Sequence, residues 1–319
     1  MSFFLGSYAT SPCSERWNED LETAYWSSLA TSPHLRGLEY PFSGKLHPHD
    51  EAWALCSLPK PWDIVLTLLP GTMDRLAANP HFGLASDDEA GRQAAVAFVR
   101  EASLAVMRLN DAAARARVVA VELHSAPRRG VAGVSSSPEA LARSLAEVAG
   151  FNWCGAALAL EHCDAYSPDL PPIKGFLCFE EEIAAIKASG APVGIAINWG
   201  RSVLEVRDPA RPLEQIRLAR AEGLLRGLMF SGCSGAETPW GVWQDSHMPH
   251  APCFGLDYAA PGSLMTAEAM EAALAAAGPD LLFIGGKVTA QPKSADLATR
   301  VGLNLALLSA LDRLRPKVI

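Results

Sequence analysis

The sequence predicts an α/β protein that forms a single (β/α)8 barrel over residues 1–319. Eight short apolar runs alternate with amphipathic segments, and near-continuous apolar runs are typical of strands that are covered on both faces. The 319 residues give about 40 residues to each of eight β-α units. A doubly wound open sheet is disfavoured because Leu5-Gly6-Ser7-Tyr8, after the first run, lacks a G-x-G-x-x-G turn.

The strands are predicted where β-branched and other apolar residues are concentrated. They are Phe3–Tyr8, Gly37–Tyr40, Ile64–Leu69, Val118–His124, Ala156–Glu161, Val193–Asn198, Gly227–Ser231 and Leu281–Gly285.

Helices are predicted between the strands, and several carry start or stop signals. Ser137-Pro138-Glu139 combines a cap, a first-turn proline and a first-turn acid. Gly150, Gly190 and Gly278 stand where helices should end. The main predicted helices are Ser14–Leu29, Glu89–Asn110, Pro138–Ala149, Glu180–Ser189, Pro212–Glu222, Ala267–Ala277 and Ala295–Leu314.

Two long loops are predicted, because a barrel of this kind needs only about 250 residues. They are Pro70–Asp87 after strand 3 and Gly232–Met265 after strand 7. Both follow the carboxyl end of a strand, which is the face where barrel enzymes place their sites. The second loop is rich in tryptophan, proline, histidine and acidic residues, so we expect an ordered lid over the site.

Composition excludes several classes of protein. Hydrophobic residues make up 49% and charged residues 19% of the chain, with a net charge of −8, which excludes intrinsic disorder and disfavours nucleic-acid binding. No run approaches the roughly 18 apolar residues of a membrane helix, and the start of the sequence does not resemble a signal peptide. The seven cysteines form no C-x-x-C pair, so we expect a reduced, cytoplasmic protein.

The candidate site residues lie at the predicted strand ends. Glu122 and His124 are two residues apart and share one face of strand 4. Glu122 either takes part in the site or forms a structural ion pair with an arginine or Lys287. Glu161 ends strand 5 after an apolar run and is the strongest single candidate. It is followed by His162 and Asp164.

The last three strands add further polar side chains. Asn198 and Arg201 follow strand 6 and could bind substrate oxygens, although Asn198 could equally cap a turn. Lys287 ends strand 8, where it could pair with Glu161, hold an anionic substrate, act as a base if desolvated, or form a salt bridge to a loop carboxylate. In the second long loop, Asp245 could orient His247 for catalysis, or both could lie on a surface loop. Trp243 could stack on a sugar.

The strand 5 end Ala159-Leu160-Glu161-His162-Cys163-Asp164, the strand 6 end at Asn198 and the loop after strand 7 resemble the xylose isomerase-like barrel superfamily. Its members include sugar isomerases, ketose epimerases and inosose dehydratases. The segments Leu-Glu-His-Cys-Asp, Ile-Asn-Trp-Gly-Arg-Ser and Trp-Gln-Asp-Ser-His are similar, more narrowly, to a bacterial family of unknown function within that superfamily.

The resemblance implies metal ligands at the ends of strands 5 to 8, but only Glu161 matches. Asn198 stands at the strand 6 position, Phe230 or Ser231 at strand 7, and Gly286 or Lys287 at strand 8. An ammonium at a ligand position repels a divalent ion, so we predict no metal and expect Lys287 to supply its charge. The alternative metal site consists of Glu161, His124, Asp245 and His247.

The resemblance and the strand-end residues together predict an enzyme that acts on a small sugar or sugar derivative. The expected chemistry is proton abstraction beside a carbonyl, as in isomerases, epimerases and lyases. The predicted catalytic residues are Glu161, His124, His247 and Lys287. The predicted substrate-binding residues are Glu122, His162, Asn198, Arg201, Trp243 and Asp245. The alternative is a non-catalytic carbohydrate-binding or regulatory barrel whose metal site has decayed.

Overall fold

The computed structural model describes residues 2–315 and contains a closed barrel in which strands β1 to β8 follow one another in chain order. The strand pairs run parallel, for example β4 with β5 and β7 with β8. The (β/α)8 prediction is therefore confirmed. The strands are β1 (Phe3–Leu5), β2 (Leu35–Pro41), β3 (Asp63–Thr67), β4 (Val118–Leu123), β5 (Ala157–His162), β6 (Val193–Asn198), β7 (Leu225–Phe230) and β8 (Phe283–Gly286).

Helices alternate with these strands, and most begin at a capping side chain. The Ser137 hydroxyl accepts a hydrogen bond from the Ala140 amide at 3.2 Å, as its sequence predicts. The helices are α1 (Glu19–Leu29), α2 (Glu51–Ser57), α3 (Leu69–Ala78), α4 (Glu89–Ala113), α5 (Pro138–Ala149), α6 (Phe179–Ser189), α7 (Trp199–Val206), α8 (Arg211–Ala221), α9 (Ala267–Ala277) and α10 (Leu297–Leu314).

The chain divides into two compact units. The central unit comprises Pro41–Ala196 and Glu222–Arg226, and it contains β3, β4 and β5. The terminal unit comprises the chain up to Tyr40, Ile197–Ala221 and the chain from Gly227 onward, and it contains β1 and β8. A single domain over residues 1–319 stays a prediction.

Each unit buries a set of apolar strand residues. In the central unit, Ile64, Val65 and Leu66 of β3 are fully buried. In the terminal unit, Phe4 of β1 meets Phe283 of β8 edge to face, with ring centroids 6.2 Å apart. These apolar strands hold the polar residues at their carboxyl ends in fixed positions.

The structure corrects several predicted element boundaries. Strand β1 ends at Leu5, and a 3-10 turn over Ser7–Thr10 takes up the end of the predicted run. Helix α3 occupies Leu69–Ala78, so the first part of the predicted loop Pro70–Asp87 is helical. Pro70 lies in the first turn, where a missing amide hydrogen costs nothing. Helices α2 and α7 were also not predicted.

The segment between β7 and α9 contains no helix or strand over residues 231–266, but backbone contacts fix it. Gly232 and Met248 exchange hydrogen bonds of 2.9 and 2.8 Å, and the Trp243 amide donates to the Ser234 carbonyl at 2.8 Å. Among residues 2–315, no helix is both long and apolar enough to cross a membrane.

Candidate functional site

The central unit brings His124 and Glu161 together in a fully buried pair. The register of β4 and β5 pairs Leu123 with Leu160, and its continuation sets His124 beside Glu161. The His124 Nε2 and Glu161 Oε2 atoms are 2.8 Å apart, and both side chains are inaccessible to solvent. A buried imidazole and carboxylate at this distance can share and transfer a proton. Glu122, one pleat earlier on β4, is also fully buried.

A second buried network lies directly beside this pair. Glu182 of α6 accepts a hydrogen bond from the Ser125 hydroxyl at 2.5 Å. Its other carboxylate oxygen is 2.7 Å from Nδ1 of His162, the last residue of β5. The ring of Phe179 meets the His162 imidazole edge to face at 4.9 Å. His162, predicted to bind substrate, is therefore engaged with the first turn of α6.

Asp164 organises the loop between β5 and α6. Its carboxylate accepts hydrogen bonds from the backbone amides of Ile173, Lys174 and Gly175, at 2.7 to 3.3 Å. Because the carboxylate is buried and accepts several amide hydrogens, it fixes a loop that has no regular structure of its own. The chain that follows Glu161 is held in place in this way.

The terminal unit contains a buried ion pair at the end of β8. Lys287 Nζ donates to Glu39 Oε1 of β2 at 2.7 Å, and both side chains are at most 1% exposed. Gly6 packs against this pair. A Cβ at Gly6 would lie 2.6 Å from the Lys287 Cβ and 2.7 Å from the Glu39 Oε2. The structure thus pairs Lys287 with Glu39 of β2, which was not among the partners that the sequence proposed for it.

The loop between β7 and α9 contributes Asp245 and His247 to the same unit. Arg201 Nε donates to Asp245 Oδ2 at 3.1 Å, and His247 Nδ1 lies 3.2 Å from Asp245 Oδ1. Burial lowers the pKa of His247 below its ordinary value. The positive charges of Lys287 and Arg201 add to this effect, whereas Asp245 opposes it. A neutral, oriented imidazole is suited to act as a base.

Thr289 fastens this loop to the chain after β8. Its hydroxyl donates to the Ser246 carbonyl at 2.5 Å, and its amide donates to the His247 carbonyl at 2.8 Å. The Trp240 indole donates to the Thr289 hydroxyl oxygen at 3.1 Å. His247 has a φ of 51°, an uncommon conformation that persists where surrounding contacts determine it. These hydrogen bonds connect the loop to the chain after β8, and its role as an ordered lid stays a prediction.

Asn198 and Trp243 have local partners. The Asn198 side-chain oxygen caps α7 by accepting from the Arg201 amide, and it also accepts from the Ser231 hydroxyl at 2.8 Å. Asn198 therefore adopts the capping role that the sequence left open. Trp243 is half-buried, and the Arg207 guanidinium lies 5.6 Å from its ring centroid.

A polar cavity of about 430 Å³ lies in the terminal unit. Ser246, between Asp245 and His247, forms part of its wall together with Thr289 and the charged residues Glu15, Lys293 and Arg300. Its volume falls in the range of small-molecule sites.

Two buried carboxylates, Glu39 and Glu182, were not among the site residues predicted from the sequence. Glu39 lies within an apolar strand, as Glu122 does, and that pattern could have identified it. Glu182 lies in the first turn of a helix, where acidic residues commonly stabilise the helix dipole. Its sequence context therefore gives no sign that it is buried.

The metal ligands implied by the resemblance do not fit the terminal unit. Lys287 places a cation at the strand 8 position, and the Asn198 side-chain oxygen already accepts two hydrogen bonds.

In the central unit, His124, Glu161 and Cys163 offer nitrogen, oxygen and sulfur atoms within 4.8 Å of one another, a donor set that suits zinc. An ion there would replace the His124–Glu161 hydrogen bond. The alternative site with Asp245 and His247 stays a prediction.

Solved structures that resemble the chain share its fold at low sequence identity. An L-ribulose 3-epimerase is 14% identical with a TM-score of 0.56, covering 98% of this chain and 92% of its own. The IOLI protein, solved with a zinc atom, is 12% identical with a TM-score of 0.59, covering 98% and 99%. A putative xylose isomerase from Rhodospirillum rubrum is 11% identical with a TM-score of 0.60, covering 99% of both chains. The xylose isomerase-like fold is thereby confirmed.

Sequence comparison gives a nearer relationship. An uncharacterised protein of Salmonella typhimurium (strain LT2) is 37% identical over 302 residues, which cover 94% of each chain. The model of a domain of unknown function, DUF4862, matches residues 4–303. The chain therefore belongs to the DUF4862 family, as its resemblance to a family of unknown function predicted.

Proposed function

We propose that this protein is an enzyme that moves a proton at a carbon beside the carbonyl of a small sugar or sugar derivative, as isomerases, epimerases and lyases do. The observation that carries the proposal is the buried pair of His124 and Glu161 at the carboxyl ends of β4 and β5. Carboxylates and imidazoles are the side chains that most often serve as general bases and acids.

In the proposed reaction, the Glu161 carboxylate takes the proton from the substrate carbon. The electrons of the broken C–H bond move toward the carbonyl, whose oxygen gains negative charge. His124, hydrogen-bonded to Glu161, orients the carboxylate and exchanges the proton with it. Return of the proton to the former carbonyl carbon gives an isomer, provided that the hydroxyl proton of the first carbon moves to the former carbonyl oxygen. Return of the proton to the other face of the same carbon gives an epimer.

The terminal unit supplies a second imidazole and carboxylate together with cations. His247 has a lowered pKa and is neutral near pH 7, so it can accept a proton. We assign to Lys287 the stabilisation of developing negative charge, and to Arg201 the orientation of Asp245. The remaining predicted substrate-binding residues keep that role as a proposal: Glu122, His162, Asn198 and Trp243.

A sugar substrate is supported by two observations. The solved structures with this fold include an L-ribulose 3-epimerase and a 3-keto-D-glucoside 4-epimerase from E. coli. The cavity in the terminal unit is lined by hydroxyl and charged side chains, including Ser246 and Thr289. Such groups recognise the hydroxyls of a sugar.

We further propose that the reaction proceeds without a resident divalent metal, because Lys287 and Asn198 replace the ligands that the resemblance implies. Protein purified without added metal is expected to contain no stoichiometric zinc, manganese or magnesium by elemental analysis. Stoichiometric zinc that is lost in Cys163→Ser would instead assign the ion to His124, Glu161 and Cys163, and it would contradict this proposal.

The function is tested by hydrogen exchange in D2O. The purified protein is incubated with a panel of aldoses, ketoses and their keto derivatives, and NMR measures deuterium at the carbon beside each carbonyl. We expect wild-type protein to label at least one sugar, and Glu161→Gln to slow the labelling by at least about 100-fold, in the range of a lost acid–base group. Glu180→Gln, at an exposed position on α6, is the matched control and should label normally.

His247→Asn in the same assay separates the two imidazole–carboxylate pairs. Loss of labelling in Glu161→Gln alone assigns the proton transfer to the central unit. Labelling that is lost in His247→Asn but retained in Glu161→Gln would contradict the assigned base and move it to the terminal unit.

A non-catalytic carbohydrate-binding barrel is the second candidate function. It is favoured by the replacement of implied metal ligands by Lys287 and Asn198. It predicts that a sugar binds, as measured by calorimetry, while no sugar in the panel acquires deuterium.

A further inference from the structure

We propose that Glu182 is a positioning residue for the His124–Glu161 pair, because it holds the carboxyl ends of β4 and β5 in register from the side of α6. This inference rests on the proposed function, in which that pair transfers the proton. It assigns Glu182 a part in the reaction although its side chain is one step removed from the proposed reacting atoms.

Glu182 makes one hydrogen bond to each strand end. One carboxylate oxygen accepts from the Ser125 hydroxyl at 2.5 Å, and the other lies 2.7 Å from His162 Nδ1. Ser125 directly follows His124, and His162 directly follows Glu161. A single carboxylate therefore bridges the two residues that adjoin the proposed proton-transfer pair.

The register of β4 and β5 explains why the Glu182 bridge can fix the relative position of His124 and Glu161. The β4–β5 register pairs Leu123 with Leu160, and its continuation pairs His124 with Glu161 and Ser125 with His162. Successive side chains of a strand alternate between its two faces. The proton-transfer pair therefore lies on one face and the Ser125–Glu182–His162 bridge on the other. A shift in register would move both pairs at once.

Helix α6 provides a firm attachment for Glu182. The Glu182 amide donates to the Cys178 carbonyl at 3.0 Å in the first turn. Arg129 makes two hydrogen bonds of 2.7 and 2.8 Å to the neighbouring Glu181. Phe179 in the same turn packs against the His162 ring. The first turn of α6 is thus anchored on both sides of Glu182, so the carboxylate can transmit a fixed position to the strands.

The bridge also determines which His162 nitrogen carries the proton. A carboxylate accepts hydrogen bonds only, so the 2.7 Å contact requires His162 Nδ1 to donate. Glutamine at position 182 keeps the shape of glutamate but offers one acceptor and one amide donor. The side-chain oxygen of glutamine can keep the hydrogen bond from Ser125 or the one from His162. It cannot keep both in their present geometry.

The experiment compares Glu182→Gln and Ser125→Ala with wild-type protein and with Glu180→Gln, the matched control at an exposed position in the same turn. The readout is the ¹⁵N NMR signals of the histidine rings, which report the tautomer and hydrogen bonding of each imidazole without any substrate. Thermal unfolding of each variant shows that it is folded at the temperature of the measurement.

We expect Glu182→Gln and Ser125→Ala each to move the ring signals of His124, and Glu182→Gln to change those of His162 as well. Ser125→Ala removes only the link to β4, so it tests the proposal if Glu182→Gln fails to fold. Unchanged His124 signals in the folded variants would overturn the proposal, because a purely structural role for Glu182 predicts lower stability alone. A comparable movement in Glu180→Gln would overturn it too.

The deuterium-labelling assay then tests the catalytic consequence. For a sugar that the wild-type protein labels, Glu182→Gln should lower kcat by roughly 10- to 100-fold, the loss expected from misplacing a reacting group, and change KM little. An unchanged kcat would overturn the positioning role. If the wild-type protein labels no sugar, the proposed function fails, while the His124 signals still decide whether Glu182 positions the pair.

Discussion

The two units bury their carboxylates with different partners. In the central unit, Glu161 and Glu182 meet the imidazoles of His124 and His162, at 2.8 and 2.7 Å. In the terminal unit, Glu39 and Asp245 meet the cations of Lys287 and Arg201, at 2.7 and 3.1 Å. Both arrangements give the buried carboxylates a partner, but the first pairs them with imidazoles, which commonly serve as general acids and bases.

Burial of a carboxylate therefore does not by itself identify a catalytic group. A carboxylate beside lysine or arginine keeps a permanent charge pair, which organises the protein and contributes a fixed electric field. A carboxylate beside histidine has a partner whose charge changes in the physiological range. His247 combines the two patterns, because it lies beside Asp245 while burial and two cations lower its pKa.

The largest expected effect comes from breaking the terminal ion pair. Lys287→Met leaves Glu39 as a buried charge without its cation, and we expect a loss of about 3–5 kcal/mol in the free energy of unfolding. Urea denaturation measures it. Lys187→Met is the matched control, because its pair with Glu222 lies at the surface, and should cost at most about 1 kcal/mol.

The double variant Lys287→Met/Glu39→Met tests whether the loss of stability comes from the unpaired charge of Glu39. Because it removes both charges, it should recover most of the stability lost in Lys287→Met. If the single and double variants are equally unstable, packing of the lysine chain rather than its charge would determine the effect, and the contrast between the units would be weakened.

A smaller effect is expected at Gly6. Alanine there would bring a methyl group within 2.6 Å of the Lys287 Cβ and 2.7 Å of the Glu39 Oε2. Crowding of a packed interior typically costs about 1–3 kcal/mol, so Gly6→Ala should lower the urea midpoint. Gly133→Ala is a contrasting control, because a Cβ there meets no atom within 4 Å, although its φ of 77° adds backbone strain. A midpoint for Gly6→Ala no lower than that of Gly133→Ala would contradict the close approach.

The sequence predicts the barrel better than it predicts the site. Apolar runs and caps identified β6 and α5 with the bounds seen in the structure, because both signals are local. The ion-pair partner of Lys287 could not be predicted, because Glu39 is 248 positions away in the sequence. Glu182 was missed for the same reason. It lies 57 positions from Ser125, and only the fold brings the two together.

The smallest expected effect is a change in folding stability with pH, which arises from the protonation of His247. Burial, Lys287 and Arg201 lower the pKa of His247 below its ordinary value of 6.5. The unfolded chain therefore binds a proton at this position in a pH range where the folded protein does not. Folding is then most favoured above about pH 6.5, and the contribution is lost as the pH falls toward the folded pKa, by at most about 1.4 kcal/mol per pH unit.

Urea unfolding at pH 7.5 and 5.5 measures this contribution. His247→Asn should reduce the loss of stability on acidification, because asparagine does not titrate. Burial also lowers the pKa of His250 and of His47, so part of the pH dependence should survive in His247→Asn. If His247→Asn shows the full wild-type difference, the fold does not lower the pKa of His247. A larger difference than in the wild-type protein would mean that His247 is protonated in the folded protein, and the proposal that it acts as a base would be wrong.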